Sequence, residues 1–210
     1  HMHMDLVFMS SSKRVEWLIR NNCTCISWAF GQSITSDKDL HNYLRRQPEI
    51  ILDLNTLSLK SYYLTGIHPR NIYPGLTPEN VETFLLPHLD DNLCLGIGEI
   101  GLETGSQQEI ELFIAQLEFA SKLDGDRYKI GIHTPRENKM ERTAIILDLL
   151  KNYTELKPRI VMDHLGLETI TMVLNENYTG GVTIAPNKTT LKDLKKMIEC
   201  IPGFTDHIMC

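Results

Sequence analysis

Leu93–Glu103 reads LCLGIGEIGLE, and this stretch decides how the rest of the chain is interpreted. Its first half is a short apolar run with two glycines, preceded by polar residues 90–92. That pattern is typical of a strand buried on both faces in a parallel sheet. Glu99 then places a carboxylate among apolar residues. Burying a carboxylate costs free energy unless the group is paired or binds a metal. We therefore expect Glu99 at the C-terminal end of a central strand, either holding a cation or salt-bridged on a turn.

The composition is that of an ordinary globular protein. The 210 residues are 42% hydrophobic and 23% charged, which suits one domain over residues 1–210 with a sizeable core. We see no apolar run near the ~20 residues of a membrane span and no signal peptide, and we expect a cytoplasmic protein without a membrane partner. The five cysteines form no CxxC pair and are expected to be reduced. The net charge of −6 disfavours a broad electrostatic grip on nucleic acid.

Strand-like and helix-like segments alternate along the whole chain. The predicted strands are Cys23–Phe30, Ser61–Ile67, the stretch around Glu99, Tyr128–Ile132, Arg159–Met162, Gly180–Ile184 and the beginning of one at His207–Met209. The predicted helices are Lys13–Asn21, Asp39–Arg46, Glu49–Leu59, Pro78–Leu89, Ser106–Leu123, Arg142–Tyr153, Leu167–Asn175 and Leu191–Ile201, with Pro48 separating the second from the third. This alternation predicts an α/β fold with a parallel sheet and right-handed crossovers.

Eight strand positions, counting one implied before His1, match a (β/α)₈ TIM-type barrel that lacks its first strand and the end of its last. A doubly wound open sheet is the alternative. No GxGxxG or Walker A sequence supports a nucleotide-binding version of that alternative.

Histidines and one carboxylate follow the predicted strands in step with the strand period. They are His1 and His3, His68, Glu99, His133 and His164. The C-terminal ends of barrel strands meet at one mouth, and imidazoles with a carboxylate suit one or two borderline divalent metals. Three other interpretations stay open: structural histidines throughout, a cloning remnant at His1-Met2, and a loop histidine bonded to backbone at position 68.

Five motifs give the chain a specific resemblance. They are HMHMD at 1–5, GIHPR at 66–70, GEIGLE at 98–103, IHTPR at 132–136 and MDHLG at 162–166. In this order they resemble the TatD-type metal-dependent hydrolases of the amidohydrolase superfamily. The resemblance implies a (β/α)₈ barrel with one or two divalent metals, zinc first and then Mn, Mg, Ni or Co, that activate water. Characterised relatives cleave phosphodiester bonds in DNA.

The resemblance also implies a role for each matching residue. His1 and His3 would bind one metal, Glu99 would bridge both metals at the catalytic centre, and His133 and His164 would complete the second site. His68 and Arg136 would line the substrate pocket. An aspartate acting as general base would follow just beyond Cys210. Glu103 lies on a loop, and we do not assign it that role.

The substrate is the least determined part of the interpretation. The resemblance implies deoxyribonuclease-like hydrolysis, and the acidic net charge favours a small or short phosphodiester, with DNA ends as one form of it. An amide or cyclic-amide hydrolase is the enzymatic alternative. A non-catalytic metal-binding or ligand-binding barrel is the alternative from another class.

Overall fold

The structure is a computed structural model that describes residues 2–123, 125, 127–184, 188–201, 204–206 and 208–209. His1, His207 and Cys210 lie outside the described residues, so what the sequence predicts for them stays a prediction. None of the helices in these ranges combines the length and the apolar character needed to cross a bilayer. The cysteines that the ranges include, Cys23, Cys25, Cys94 and Cys200, are free thiols.

The described strands form one parallel sheet in sequential order. They are β1 (Cys25–Ser27), β2 (Ser61–Thr65), β3 (Cys94–Gly101), β4 (Lys129–His133), β5 (Ile160–Asp163), β6 (Thr179–Gly181) and β7 (Ile208–Met209). Met2, which precedes β1 along the chain, forms a parallel bridge to Ser27 of β1. A strand position therefore precedes β1, and the predicted α/β class with a parallel sheet is confirmed.

Helices separate the strands along the chain. They are α1 (Met4–Ser10), α2 (Ser12–Arg20), α3 (Asp37–Thr56), α4 (Val81–Leu89), α5 (Gln107–Ser121), α6 (Lys139–Leu150), α7 (Ile170–Asn175) and α8 (Leu191–Cys200). Short 3₁₀ turns at Pro69–Asn71, Pro78–Asn80, Thr154–Arg159 and Phe204–Asp206 complete the described elements. The apolar faces of the helices and the buried residues of β1 to β5 form one common core, and Ile208 of β7 packs against it.

The predicted helix break at Pro48 is wrong, because α3 runs through that residue without interruption. Leu40 and Leu44 before the proline and Ile51 after it are all 0–1% exposed. An interior proline removes one backbone hydrogen bond. The continuous buried face on both sides outweighs that loss, so the helix continues through the proline instead of ending.

Glycines on β3 face the backbone of β4 where there is no room for a side chain. Gly96 and Gly101 have φ values of +146° and +141°, which only glycine adopts readily. A Cβ atom on Gly101 would lie 2.5 Å from the His133 carbonyl oxygen. One on Gly96 would lie 2.0 Å from the Lys129 carbonyl oxygen. The glycines of the opening motif therefore set the strand spacing beneath Glu99, which lies inside β3 and not after its end.

We expect Gly96→Ala to lower the free energy of unfolding by at least about 2 kcal/mol, since both the backbone conformation and the strand contact exclude a methyl group. Urea denaturation of the metal-free protein measures this. Gly75→Ala is the matched control, because its added Cβ would meet only ordinary contacts of 3.6 Å or more. Equal stability of the two variants would contradict the interpretation.

Candidate metal centre

Glu99 is the fully buried centre of the site, and the next two strands in the sheet each bring a histidine to it. His133 closes β4, and its Nδ1 lies 2.6 Å from Glu99 Oε1. His164 follows β5 directly, and its Nε2 lies 3.0 Å from the same oxygen. The parallel register places these side chains at one edge of the sheet, as the sequence predicts.

His3 reaches the same carboxylate from the opposite side. The Met2 bridge to Ser27 holds the chain beside β1, and His3 Nε2 lies 4.0 Å from Glu99 Oε2. The Phe30 ring packs on the His3 ring with centroids 4.3 Å apart. Three imidazoles from separate parts of the chain thus converge on one buried carboxylate.

Hydrogen bonds orient two of these imidazoles for metal binding. His3 Nδ1 lies 3.3 Å from the Trp28 carbonyl oxygen. Because a carbonyl oxygen only accepts, Nδ1 is the donor and the lone pair is left on Nε2, the nitrogen near Glu99. His133 Nε2 similarly faces Glu103 Oε2 at 2.7 Å, leaving Nδ1 for the Glu99 side. Metal-binding histidines in proteins are oriented in this way by a second hydrogen bond, so the residues present fit a divalent cation.

His164 is held by its neighbours on β5 and after β6. Its Nδ1 lies 2.7 Å from Thr183 Oγ1 and 3.2 Å from Lys188 Nζ. The backbone at His164 has φ +63°, a strained conformation for a non-glycine residue. Lys139 Nζ donates to the His164 carbonyl at 2.5 Å and stabilises that conformation.

His68 lies beside these residues, and its tautomer differs from that of His3. Its ligating atoms, those of Glu99 and those of His133 lie within 4.8 Å of one another. However, the backbone N–H of Arg70 donates to His68 Nδ1 at 3.0 Å. Burial lowers the pKa of His68 to about 3, against an opposing effect of Glu99. The neutral ring therefore carries its proton on Nε2 and offers the cavity a donor instead of a lone pair. The backbone hydrogen bond that one interpretation of position 68 expected is therefore present.

Glu103 is the site residue that sequence reasoning set aside. Its carboxylate accepts from His133 on one oxygen and from Arg70 Nη2 at 2.6 Å on the other. Its side chain is only 22% exposed. Its position two residues after the end of β3 was the signal that could have placed it near the site. Sequence spacing alone does not show which neighbour a loop side chain contacts.

The pKa values follow from this packing. Burial raises the pKa of Glu99, but hydrogen bonds with His133 and His164 outweigh it and hold the pKa well below the usual range. Burial lowers the pKa of His133, yet its bonds to Glu103 and Glu99 give a net rise. The pKa of Glu103 falls to about 2, since the same histidine and Arg70 outweigh burial. Anionic carboxylates therefore surround His133, and a metal cation could replace the extra ring proton.

The cluster opens into a cavity of about 490 Å³. Its wall contains Arg136, as the sequence predicts, together with Arg70, Lys139 and Lys188. Burial lowers the pKa of Lys139 and of Lys188. Arginine and lysine side chains bind anionic oxygens well. Glu99, Glu168 and Asp193 also line the cavity, so among the described residues its wall carries four basic side chains and three acidic ones.

Comparisons with known proteins identify a matching family model and a curated relative. The family model described as TatD related DNase matches residues 22–205. An uncharacterized metal-dependent hydrolase of Methanocaldococcus jannaschii is 29% identical over 168 residues, which is 75% of this chain. The chain spans 65% of the length of that curated relative.

Two solved structures share the architecture. The TatD-like protein of Archaeoglobus fulgidus aligns with 100% of this chain and 82% of its own, at 27% identity and a TM-score of 0.77. The β-aspartyl dipeptidase of Fervidobacterium islandicum, solved with a β-Asp-Leu dipeptide, aligns with 93% of this chain and 52% of its own. Its identity is 14% and its TM-score 0.59, so it supports the fold alone.

Proposed function

Because this chain belongs to the TatD-related DNase family, we propose that it is a metal-dependent hydrolase that cleaves phosphodiester bonds in the cavity around Glu99. The convergence of three histidines on that buried carboxylate carries the proposal. We further propose that the parallel sheet belongs to a (β/α)₈ barrel, since a strand position at Met2 precedes β1 and β7 follows at the other end.

The residues proposed to hold the metal are His3, Glu99, His133 and His164, with His1 as a further ligand outside the described residues. A site rich in imidazole nitrogens favours zinc among divalent ions. A divalent ion there supplies Lewis-acid chemistry, which makes water a better nucleophile near neutral pH and stabilises negative charge on the scissile group.

The chain's own side chains bind and orient the substrate. Arg136 and Lys188 on the cavity wall pair with phosphate oxygens. His68 donates its Nε2 proton to an oxygen of the group under attack. A cavity of about 490 Å³ accepts a small phosphodiester or the end of a strand. The net charge of −6 does not favour binding along a duplex.

We expect the zinc-loaded or manganese-loaded protein to hydrolyse bis(p-nitrophenyl) phosphate and to leave a panel of amides and cyclic amides intact. Metal dependence is tested by removing the ion with a chelator and restoring it. Arg136→Met should raise the KM for the phosphodiester, because the guanidinium binds substrate and does not take part in metal binding.

The same assay contains the outcomes that reject the proposal. Cleavage of the amides alone would assign the amide hydrolase alternative. Tight metal binding without hydrolysis of either class would favour a non-catalytic binding protein. A protein that takes up no transition metal after supplementation would remove the metal site itself.

A further inference from the structure

We propose that Glu103 is the positioning residue that places the ring proton of His133 on Nε2 and so makes Nδ1 available to a metal. This inference rests on the proposed function and deepens it, because it assigns the tautomer of one ligand to a second carboxylate. Among the described residues, Glu103 is not one that lines the cavity, and it acts through the imidazole.

Two carboxylates compete for the ring proton of His133. Glu99 Oε1 lies 2.6 Å from Nδ1, and Glu103 Oε2 lies 2.7 Å from Nε2. The His133 side chain is only 5% exposed, so little of the ring is open to water as a substitute acceptor. If Glu99 were the only acceptor, a neutral ring would carry its proton on Nδ1, the form that cannot give that nitrogen to a metal. Glu103 shifts the proton to the other nitrogen.

Two arginines hold Glu103 in place, one at its carboxylate and one at its backbone carbonyl. Arg70 Nη2 donates to Oε1 at 2.6 Å, which leaves Oε2 directed at the imidazole. Arg142 Nη1 donates to the Glu103 backbone carbonyl at 2.5 Å. A carboxylate held by a guanidinium stays ionised and acts only as an acceptor. The contact to His133 therefore has one direction, from Nε2–H to oxygen.

The loop that carries Glu103 is fixed by a second buried carboxylate. Glu109, in the first turn of α5, is 5% exposed. It accepts from the backbone N–H groups of Glu103 at 2.9 Å, Thr104 at 2.9 Å and Gly105 at 2.8 Å. A loop with its amides bonded to one side chain has little freedom to move. Glu109 thus sets the position of Glu103, and Glu103 sets the tautomer of His133.

The acceptor on His133 differs in charge from the one on His3. His3 donates to the neutral carbonyl of Trp28 at 3.3 Å, while His133 donates to an anion at the shorter distance of 2.7 Å. A charged acceptor strengthens the hydrogen bond and increases the basicity of the opposite ring nitrogen. Loss of Glu103 should therefore weaken metal binding more than loss of a neutral acceptor would.

The test compares Glu103→Gln, Glu103→Asp and the control Glu137→Gln, which removes one exposed negative charge from the loop after β4. Zinc affinity is measured by competition with a chromophoric chelator, and long-range ¹H–¹⁵N spectra identify the protonated nitrogen of His133. We expect Glu103→Gln to lose about 10- to 100-fold in zinc affinity. In the metal-free variant, at a pH where the ring is neutral, the single ring proton should lie on Nδ1. Glu103→Asp keeps the charge and should lose less, and the control should match the wild type.

Thermal unfolding of the metal-free proteins shows whether each variant is folded. If Glu103→Gln does not fold, the zinc affinity and ring-proton position of Glu103→Asp are used in its place. Wild-type zinc affinity in Glu103→Gln, with the proton still on Nε2, would overturn the inference while the proposed function stands. A wild-type protein that binds no zinc would overturn both. Expected affinities without phosphodiester cleavage would support this inference and reject only the proposed substrate.

Discussion

Replacing Glu99 with glutamine is expected to lower zinc affinity by more than ~100-fold, the upper end of the loss seen for outer hydrogen-bonding partners of metal ligands. Glutamine has nearly the same volume, so the fully buried side chain should still fit its site. What disappears is the negative charge toward which His3, His133 and His164 point. Without it, three imidazole dipoles would have to hold a divalent cation with no anion between them.

Zinc-dependent thermal stabilisation measures this effect. A ligand present at 100 times its Kd stabilises the wild type by about 2.7 kcal/mol, which is ~5–10 °C for a chain of this size. Glu99→Gln should show almost none of that shift, while Glu137→Gln should show all of it. A full zinc-dependent shift in Glu99→Gln would be incompatible with a metal held at this carboxylate.

The order of the strands and the positions of most site histidines could be predicted from the sequence. A parallel sheet places the C-terminal ends of its strands at one edge. Residues that recur at predicted strand ends can therefore be expected to lie close together without knowledge of the tertiary structure. His68, His133 and His164 are such cases, and the structure brings all three to Glu99. The α3 helix differs, because its continuity through Pro48 depends on a buried face that local sequence rules do not weigh.

The roles of individual ring nitrogens could not be predicted. Glu103 and Arg70 follow different strands, and only the folded loops show that one carboxylate contacts both Arg70 and His133. The same limit applies to Glu109, whose position in the first turn of α5 suggests an ordinary helix cap. In the structure it also binds the amides of the preceding loop. Sequence spacing predicts which side chains lie together, but which ring nitrogen carries the proton depends on backbone and loop contacts.

His68→Asn is expected to lower kcat by about 10²- to 10³-fold, the usual cost of losing one donor to a developing oxyanion, while zinc affinity stays at the wild-type value. The asparagine oxygen can still accept the backbone N–H of Arg70, as Nδ1 does at 3.0 Å. The substitution removes the Nε2–H group that donates into the cavity. Phosphodiester hydrolysis and chelator competition on the same preparation separate the two effects.

His68→Gln is the matched variant, because its amide nitrogen can occupy the place of Nε2 and donate a proton there. It should therefore retain much of the activity that His68→Asn loses. Proximity alone groups His68 with Glu99 and His133 as a possible ligand set, since their ligating atoms lie within 4.8 Å. If His68 were a ligand, both variants would lose zinc together. If the Arg70 amide fixes the tautomer, as the 3.0 Å contact indicates, both keep zinc and only the asparagine variant loses turnover.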